Sequence, residues 1–340
     1  MPRTTIKDIA KECDVSLSTV SLVLNNNPRI SATTRAKVLA AVEKHEYQPN
    51  AFAQSLASRS SRALSVVVPH LNHVFADVYF GEIVSGIYEH ATDLGYKVLL
   101  DVANQKFVSS QEYLKILKSK RVDGMLFIGS SVHDEYLLDF DQNPYPFMLV
   151  NHYFPKSRLN CIMADYPSTA RLAGNHLINL GHKAIGFITG TNTHTSTELL
   201  NGFIEYCASQ GLRKEDMPWA DGWFTEQGGY EAAQWLMERF PRLTAIMAGN
   251  DKMAIGAMRY LLSKGLKVPH DVSVVGVDDI PAAQFTTPQL TTVRHDLYRI
   301  GQLAVDGLLA LFRKEIDLCH KILPVNLIVR ESSGPAKPRG

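Results

Sequence analysis

A short run of side chains near the amino terminus has the chemistry of a surface that contacts nucleic-acid bases. Residues 17–25 are predicted to form a helix whose outward face carries hydroxyl, amide and leucine side chains. Hydroxyls and amides can hydrogen-bond to phosphates and base edges, and leucine can pack on a thymine methyl group. The side chains predicted to face outward are Leu17, Ser18, Ser21, Leu22 and Asn25.

Three short helices would position this surface. The first has apolar residues at the spacing of one helical face, and residues 14–16 interrupt the run. Ser16 is a favourable N-cap for the second helix, and a third helix begins at Ser31. This pattern is typical of a helix-turn-helix whose second helix enters the DNA major groove. The predicted core residues are Ile6, Ile9, Ala10, Cys13, Val20, Val23, Leu24, Ala36, Val38, Leu39 and Val42.

The charge of the chain is unevenly distributed. The 340 residues carry a net charge of +1. The first 62 residues hold nine Lys and Arg against five Asp and Glu, a net +4, which leaves −3 for the other 278 residues. A basic head on a weakly acidic body is typical of a DNA-binding module joined to a second domain.

Composition argues against several other classes of protein. Four widely separated cysteines, without a CxxC spacing, indicate neither a zinc site nor a disulfide framework. The amino terminus has no apolar segment of a secretory signal, and no apolar run approaches the ~20 residues that cross a bilayer. We expect a soluble cytoplasmic protein without a membrane partner.

After residue 62 the chain alternates β-branched runs with amphipathic segments, which predicts parallel sheets covered by helices. The predicted fold is an all-α helix-turn-helix head followed by an α/β body of two doubly wound parallel-sheet lobes with a ligand cleft between them. The tail after Arg330 is predicted to be disordered. Predicted bounds are 1–48 for the head, 49–62 for a hinge and 63–340 for the body, with lobe 1 at about 63–162 and 294–320 and lobe 2 at about 163–291 and 323–332.

The motifs of common enzymes are absent. The sequence has no GxGxxG, GxxxxGK[ST], GxSxG or HExxH pattern, so we expect neither an enzyme nor a cofactor. Asp278 and Asp279 at a predicted strand end do not by themselves form a catalytic pair. His70, His73 and Asp77 lie close together in sequence, but they are expected to be polar residues at the cleft rim rather than metal ligands.

Ordered motifs along nearly the whole chain resemble the lactose-repressor/purine-repressor (LacI/GalR-type) family of bacterial transcriptional regulators. In the head and connector they lie at 5–10, 15–21, 47–50 and 53–56, and in the body at 181–185, 250–257, 268–279, 290–293 and 327–332. The resemblance implies a dimeric repressor that binds a pseudo-palindromic operator in double-stranded DNA. It also implies a periplasmic-binding-protein type I body that senses a small molecule, of the sugar or nucleoside class.

The resemblance assigns DNA contacts to residues of the head and connector. Leu17, Ser18 and Leu22 match base-reading positions, and Leu56 matches a leucine that enters the minor groove. Some of these assignments have a simpler alternative. Ser16 and Ser31 can be N-caps only. Leu22 can be a core residue of the head, and Leu56 can be a plain linker residue. The other matches are Thr5, Ser16, Ser21 and Ser31 for the DNA backbone, with Asn25, Asn50 and Ala53 completing the set.

Leu22 departs from many family members, which have arginine at this position. Arginine can hold O6 and N7 of guanine with two hydrogen bonds, and leucine cannot. We therefore expect an operator half-site that lacks this guanine contact.

The resemblance places an effector between the lobes. Aromatic rings would stack on the ligand, and Asn and Asp would fix its polar groups. Many relatives have arginine where this chain has Leu199. Without that arginine, an atypical ligand or a cleft that has lost sensing stays an alternative. A solute-binding protein with the same body fold is a further alternative. The matching residues are Tyr79, Phe80, Asn151, Phe224, Asn250 and Asp278; the alternative roles are core packing for Tyr79 and Phe80 and capping or turn formation for Asn250 and Asp278.

Overall fold

Three helices form the amino-terminal unit of the protein, in a computed structural model that describes residues 4–24, 27–47, 60–70, 74–191 and 193–337. The helices are α1 (Ile6–Glu12), α2 (Leu17–Leu24) and α3 (Ala32–Lys44), as the sequence predicted. Asp14, with φ of 51°, makes the turn that separates α1 from α2. The chain divides into two compact units, Met1–Ser61 and Arg62–Gly340.

One face of each helix supplies the core of this unit. The prediction was wrong for Ala36 and Leu39, which are exposed, Leu39 to 45 %. Val38 and Ala41 form the buried stripe of α3, and Leu39 lies about 100° around the helix from Val38, outside that stripe. Among the described residues of the unit, the buried core side chains are Ile9, Ala10, Cys13, Val20, Val23, Val38 and Ala41, with Ile6, Leu24 and Val42 packed against them.

The body is an α/β structure with two six-stranded sheets, which confirms the predicted fold class. The strands are β1 (Ala63–Pro69), β2 (Lys97–Ala103), β3 (Gly124–Ile128), β4 (Phe147–Val150), β5 (Cys161–Ala164), β6 (Ile185–Thr189), β7 (Trp219–Asp221), β8 (Ala245–Ala248), β9 (Ser273–Asp278), β10 (Thr291–Arg294), β11 (His320–Leu323) and β12 (Asn326–Ile328). Strand order is β11-β5-β4-β3-β1-β2 in the first sheet and β12-β10-β9-β8-β6-β7 in the second. Only the pairing of β10 with β12 is antiparallel in the described part of the chain.

Helices connect these strands and cover the sheets. The helix predicted at about 109–120 is shorter in the structure, at Glu112–Lys118. Gln111, whose φ is 51°, separates it from a preceding short helix at Gln105–Ser109. The strongly amphipathic last helix packs on the first helix of the body, within the first lobe. The helices of the body are α4 (Val78–Asp93), α5 (Gln105–Ser109), α6 (Glu112–Lys118), α7 (Tyr166–Asn179), α8 (His194–Ser209), α9 (Glu226–Arg239), α10 (Asp251–Ser263) and α11 (Leu297–Phe312).

The segment after Arg330 is ordered on the second lobe, so the prediction of a disordered tail was wrong for residues 331–337. Ser332 is fully buried; its carbonyl accepts from Val274 N–H at 2.8 Å and its hydroxyl accepts from Thr291 N–H at 2.8 Å. Backbone pairing of this kind stabilises a segment whose Pro, Gly and Lys content resembles a loose tail.

Across the described residues, no helix is both long and apolar enough to cross a membrane.

Candidate functional site

The outward face of α2 is assembled as predicted within the described residues. Leu17 is 44 % exposed and Leu22 38 % exposed, and neither belongs to the buried core of the head. Ser18 and Ser21 lie on the same helical face, since their spacing places all four side chains within an arc of about 140°. Leu22 is thus not the core residue that the alternative interpretation required.

The predicted N-caps are confirmed. The Ser16 hydroxyl accepts from Thr19 N–H at 3.0 Å, and the Ser31 hydroxyl accepts from Thr34 N–H at 3.2 Å. At the start of α1, the backbone N–H and the hydroxyl of Thr5 both donate to Asp8, which lowers the pKa of that carboxyl. The phosphate contacts assigned to Thr5, Ser16 and Ser31 stay predictions.

Several predicted contact residues fall outside the part of the chain that the structure describes. They are Asn25 in the head, Asn50, Ala53 and Leu56 in the predicted hinge, and His73 in the segment before α4.

In the first lobe, Tyr79 and Asn151 are brought together at the carboxyl ends of the strands. The Asn151 side-chain amide donates to the Tyr79 hydroxyl at 3.0 Å, and its carbonyl oxygen accepts from Ala164 N–H at 3.1 Å. Asn151 adopts φ of 56°, a left-handed conformation that asparagine tolerates better than most residues. Burial raises the pKa of Tyr79, and the carboxyl of Asp278 in the other lobe raises it further.

Phe80 packs in the interior of the first lobe. Its ring lies edge-on to Tyr79, with centroids 5.3 Å apart, and covers Gly129 so closely that a Cβ there would be 2.5 Å from the ring. This packing fits the alternative that Phe80 is a core residue, and a ligand contact stays a prediction.

In the second lobe, Asn250 and Phe224 lie together. Asn250 caps α10 by accepting from Met253 N–H at 2.8 Å, and its amide approaches the Phe224 carbonyl at 3.5 Å. Phe224 has φ of 57°, and its ring lies directly over Gly190. Asn250 is therefore a capping residue, as the alternative interpretation had it, and its side chain still lies at the cleft end of β8.

Asp278 ends β9 in a strained conformation, with φ of 104°, and its side chain is buried. Its carboxyl oxygen lies 3.5 Å from His295 Nδ1, and burial raises its pKa well above the usual range. Both residues line a pocket of about 270 Å³ at the start of α11. The neighbouring Asp279 is held by Arg294 and Arg330, at 2.6 Å each, and so has a structural role.

Three buried polar atoms near the cleft have no hydrogen-bond partner among the described residues: His152 Nε2, Glu198 Oε2 and His295 Nδ1. Burial lowers the pKa of His152 to about 4, with a smaller effect from His194, and burial raises the pKa of Glu198. Unsatisfied buried groups are costly, and they are common where a ligand supplies the missing partner.

The sequence prediction did not include these residues. A signal was available for His152, which directly follows the predicted site residue Asn151 at a strand end, and for Glu198, which precedes Leu199. Leu199 itself is only 2 % exposed and adds no polar group to the cleft. Among the described residues, no group of three or more His, Cys, Asp or Glu side chains is arranged to hold a metal ion.

Comparison with known proteins identifies the family. Residues 5–50 match the family described as "Bacterial regulatory proteins, lacI family", and residues 175–333 match the "Periplasmic binding protein-like domain". Catabolite control protein A of Priestia megaterium is 32 % identical over 332 residues, which cover 97 % of this chain and 99 % of that protein. The chain belongs to the lacI family of bacterial regulatory proteins.

Solved structures agree with this lacI-family assignment. A lac repressor dimer bound to operator and the anti-inducer ONPF matches with a TM-score of 0.85 and 28 % identity, covering 97 % of this chain and 99 % of that one. A complex of the transcriptional regulator CelR with cellobiose matches with a TM-score of 0.73 and 26 % identity, covering 97 % and 100 %. The resemblance that the motifs indicated is confirmed, and the protein is a helix-turn-helix transcriptional regulator.

Proposed function

We propose that this regulator represses transcription by binding a pseudo-palindromic operator as a homodimer, in the bacterial cytoplasm. The observation that carries the proposal is the outward face of α2, where Leu17, Ser18, Ser21 and Leu22 lie outside the buried core of the head. A helix of this kind, with its N-terminus capped by Ser16, can enter a major groove and present those side chains to the bases.

Exposed apolar side chains on the body support a homodimer. Leu99 and Leu100 are exposed on β2, which is the edge strand of the first sheet, and Leu262 and Phe285 are exposed in the second lobe. Large apolar side chains on an edge strand favour association with a partner. The dimeric lac repressor has a similar fold, which supports the same assembly here.

The small-molecule partner is proposed to be a neutral sugar, with a nucleoside as the alternative class. The cleft offers amide and hydroxyl groups at Asn151 and Tyr79 together with an Asp278 carboxyl whose raised pKa disfavours its charge. Leu199 supplies no charge for an anionic ligand. The unpaired atoms of His152 and Glu198 favour a polyhydroxyl ligand and argue against a cleft that has lost sensing.

Regulation then follows from linkage between the two sites. A ligand with different affinity for two arrangements of the lobes changes operator affinity by the same coupling free energy, of about 1–3 kcal/mol or 5–150-fold.

The test of DNA binding compares the full chain with a variant that lacks residues 1–60. Sites are selected from random duplexes by the full chain, and affinity is measured by fluorescence anisotropy. We expect the deletion to abolish specific binding while sedimentation shows that the dimer persists. Selection of no common sequence by the full chain, or retained binding by the deletion variant, would contradict the proposal.

The test of sensing is a thermal-shift screen of the full chain with cellobiose, other neutral sugars, nucleosides and sugar phosphates. A compound that raises the melting temperature is then compared in Asp278→Asn, which alters the cleft, and in Asp93→Asn, an exposed control at the end of α4. We expect the ligand-induced shift to fall only in Asp278→Asn. Stabilisation by sugar phosphates alone would overturn the assignment to neutral ligands.

A further inference from the structure

An ion pair joins the two lobes of the body. Lys252 Nζ lies 2.7 Å from Asp77 Oδ2, and the two side chains are only 18 % and 25 % exposed. Asp77 directly precedes α4 of the first lobe, and Lys252 lies in the first turn of α10 of the second lobe. Both helix starts face the cleft, because they follow the carboxyl ends of parallel strands.

Asp77 is held in position by a second interaction. Its other oxygen, Oδ1, accepts from Tyr79 N–H at 2.9 Å and so caps α4. The carboxylate that begins the first helix of one lobe is therefore the same group that holds the lysine of the other lobe. Because the Asp77 carboxylate is already fixed, forming this ion pair costs less conformational entropy than pairing two freely rotating side chains would.

Lys252 occupies a position that is unfavourable for a cation on its own. It lies in the first turn of α10, where the helix dipole favours negative charge. The Asp77 carboxylate compensates for this charge from across the cleft.

The pair lies beside predicted ligand-site residues of both lobes. Lys252 is two residues from Asn250, and Asp77 is two residues from Tyr79, so the bridge connects the two predicted walls of the site. We propose that Lys252 and Asp77 form a clasp that holds the lobes together when the cleft contains no ligand. The ion pair then shifts the closed-to-open balance of the ligand-free regulator towards the closed arrangement.

The test is hydrogen exchange measured by mass spectrometry on the full-length protein without DNA or ligand, so it does not depend on the proposed operator or effector. The variants are Lys252→Met, which keeps the side-chain length, and Asp77→Asn, which keeps an N-cap and removes the charge. We expect each to speed exchange about 3- to 10-fold in peptides 74–83 and 250–256 alike, because opening the clasp frees both lobes. The double variant is expected to be no faster than either single variant.

Two exposed residues give matched controls. Lys264→Met removes a lysine at the other end of α10, and Asp93→Asn removes a carboxylate at the other end of α4. Neither should change exchange in the two peptides. Faster exchange confined to the lobe that carries the substitution, or additive effects in the double variant, would overturn the clasp.

Discussion

The side-chain amide of Asn151 lies 3.0 Å from the hydroxyl of Tyr79, which connects the end of strand β4 to the first helix of the same lobe. The same asparagine accepts from Ala164 N–H and so also fixes the end of β5. Both residues are thus structural parts of the lobe before any ligand binds. A ligand that contacts either one meets a group whose orientation is already set, which lowers the entropy cost of recognition.

Removal of the Tyr79 hydroxyl should destabilise the body. In Tyr79→Phe the buried Asn151 amide loses its acceptor, so we expect the free energy of unfolding to fall by about 1–3 kcal/mol. Urea denaturation followed by circular dichroism measures this change. Tyr88→Phe is the control, because Tyr88 lies on the same helix and is largely exposed. Equal losses in the two variants would show that the Tyr79–Asn151 bond contributes nothing.

The stability of the body should depend on the ionisation of His152. Burial lowers its pKa to about 4, below the value of about 6.5 expected in the unfolded chain. The neutral ring therefore contributes its full stability above pH 6.5, and that contribution is lost as the pH falls towards 4. His152→Phe, which has no proton to bind, should gain stability relative to the wild type by roughly 3 kcal/mol over this range.

The measurement is the free energy of unfolding at several pH values between 7 and 4. The exposed His133 provides a control, and His133→Gln should follow the wild-type pH dependence. Parallel curves for His152→Phe and the wild type would show that His152 is not held neutral in the fold.

The fold was predictable where a chain segment carries one continuous signal. Strands β1, β3 and β4 are largely apolar runs, and the bounds predicted for them, 63–69, 124–129 and 147–151, agree with the structure to within about one residue. Strands β5, β7, β10 and β11, of three or four residues each, were not predicted as strands. Strand β10 begins with two fully buried threonines, whose polar side chains do not indicate a buried strand in the sequence. Their hydrogen-bond partners are distant in sequence: Thr291 N–H donates to Ser332, and the Thr292 hydroxyl donates to Asp251.

The candidate site was predictable only in part, for a similar reason. Tyr79, Asn151 and Asp278 could be named from the resemblance to the family. The Lys252–Asp77 ion pair joins residues 175 positions apart. No local pattern marks such a pair, because it exists only once two separate sheets place their carboxyl ends opposite each other.

The specificity of the head should change in Leu22→Arg. An arginine on this exposed face can hold guanine O6 and N7, and we expect selected half-sites to gain a guanine preference of about 1–3 kcal/mol at one position. Binding-site selection followed by sequencing measures the preference. Leu39→Arg adds the same charge at an exposed position on α3 and should strengthen binding without a new base preference. An unchanged selected sequence in Leu22→Arg would show that Leu22 does not face the bases.

Truncation after Arg330 should destabilise the second lobe, although the lost residues resemble a loose tail in sequence. Ser332 supplies acceptors to the buried N–H groups of Val274 and Thr291, and its hydroxyl donates to the Val274 carbonyl. Without it, two buried donors are unpaired, which costs about 1–3 kcal/mol each. We expect a fall of about 2–6 kcal/mol in the free energy of unfolding, while truncation after Lys337 has little effect. Ser332→Ala removes only the hydroxyl, so we expect an intermediate fall in the free energy of unfolding. Equal stability of all three variants would mean that the segment contributes nothing to the fold.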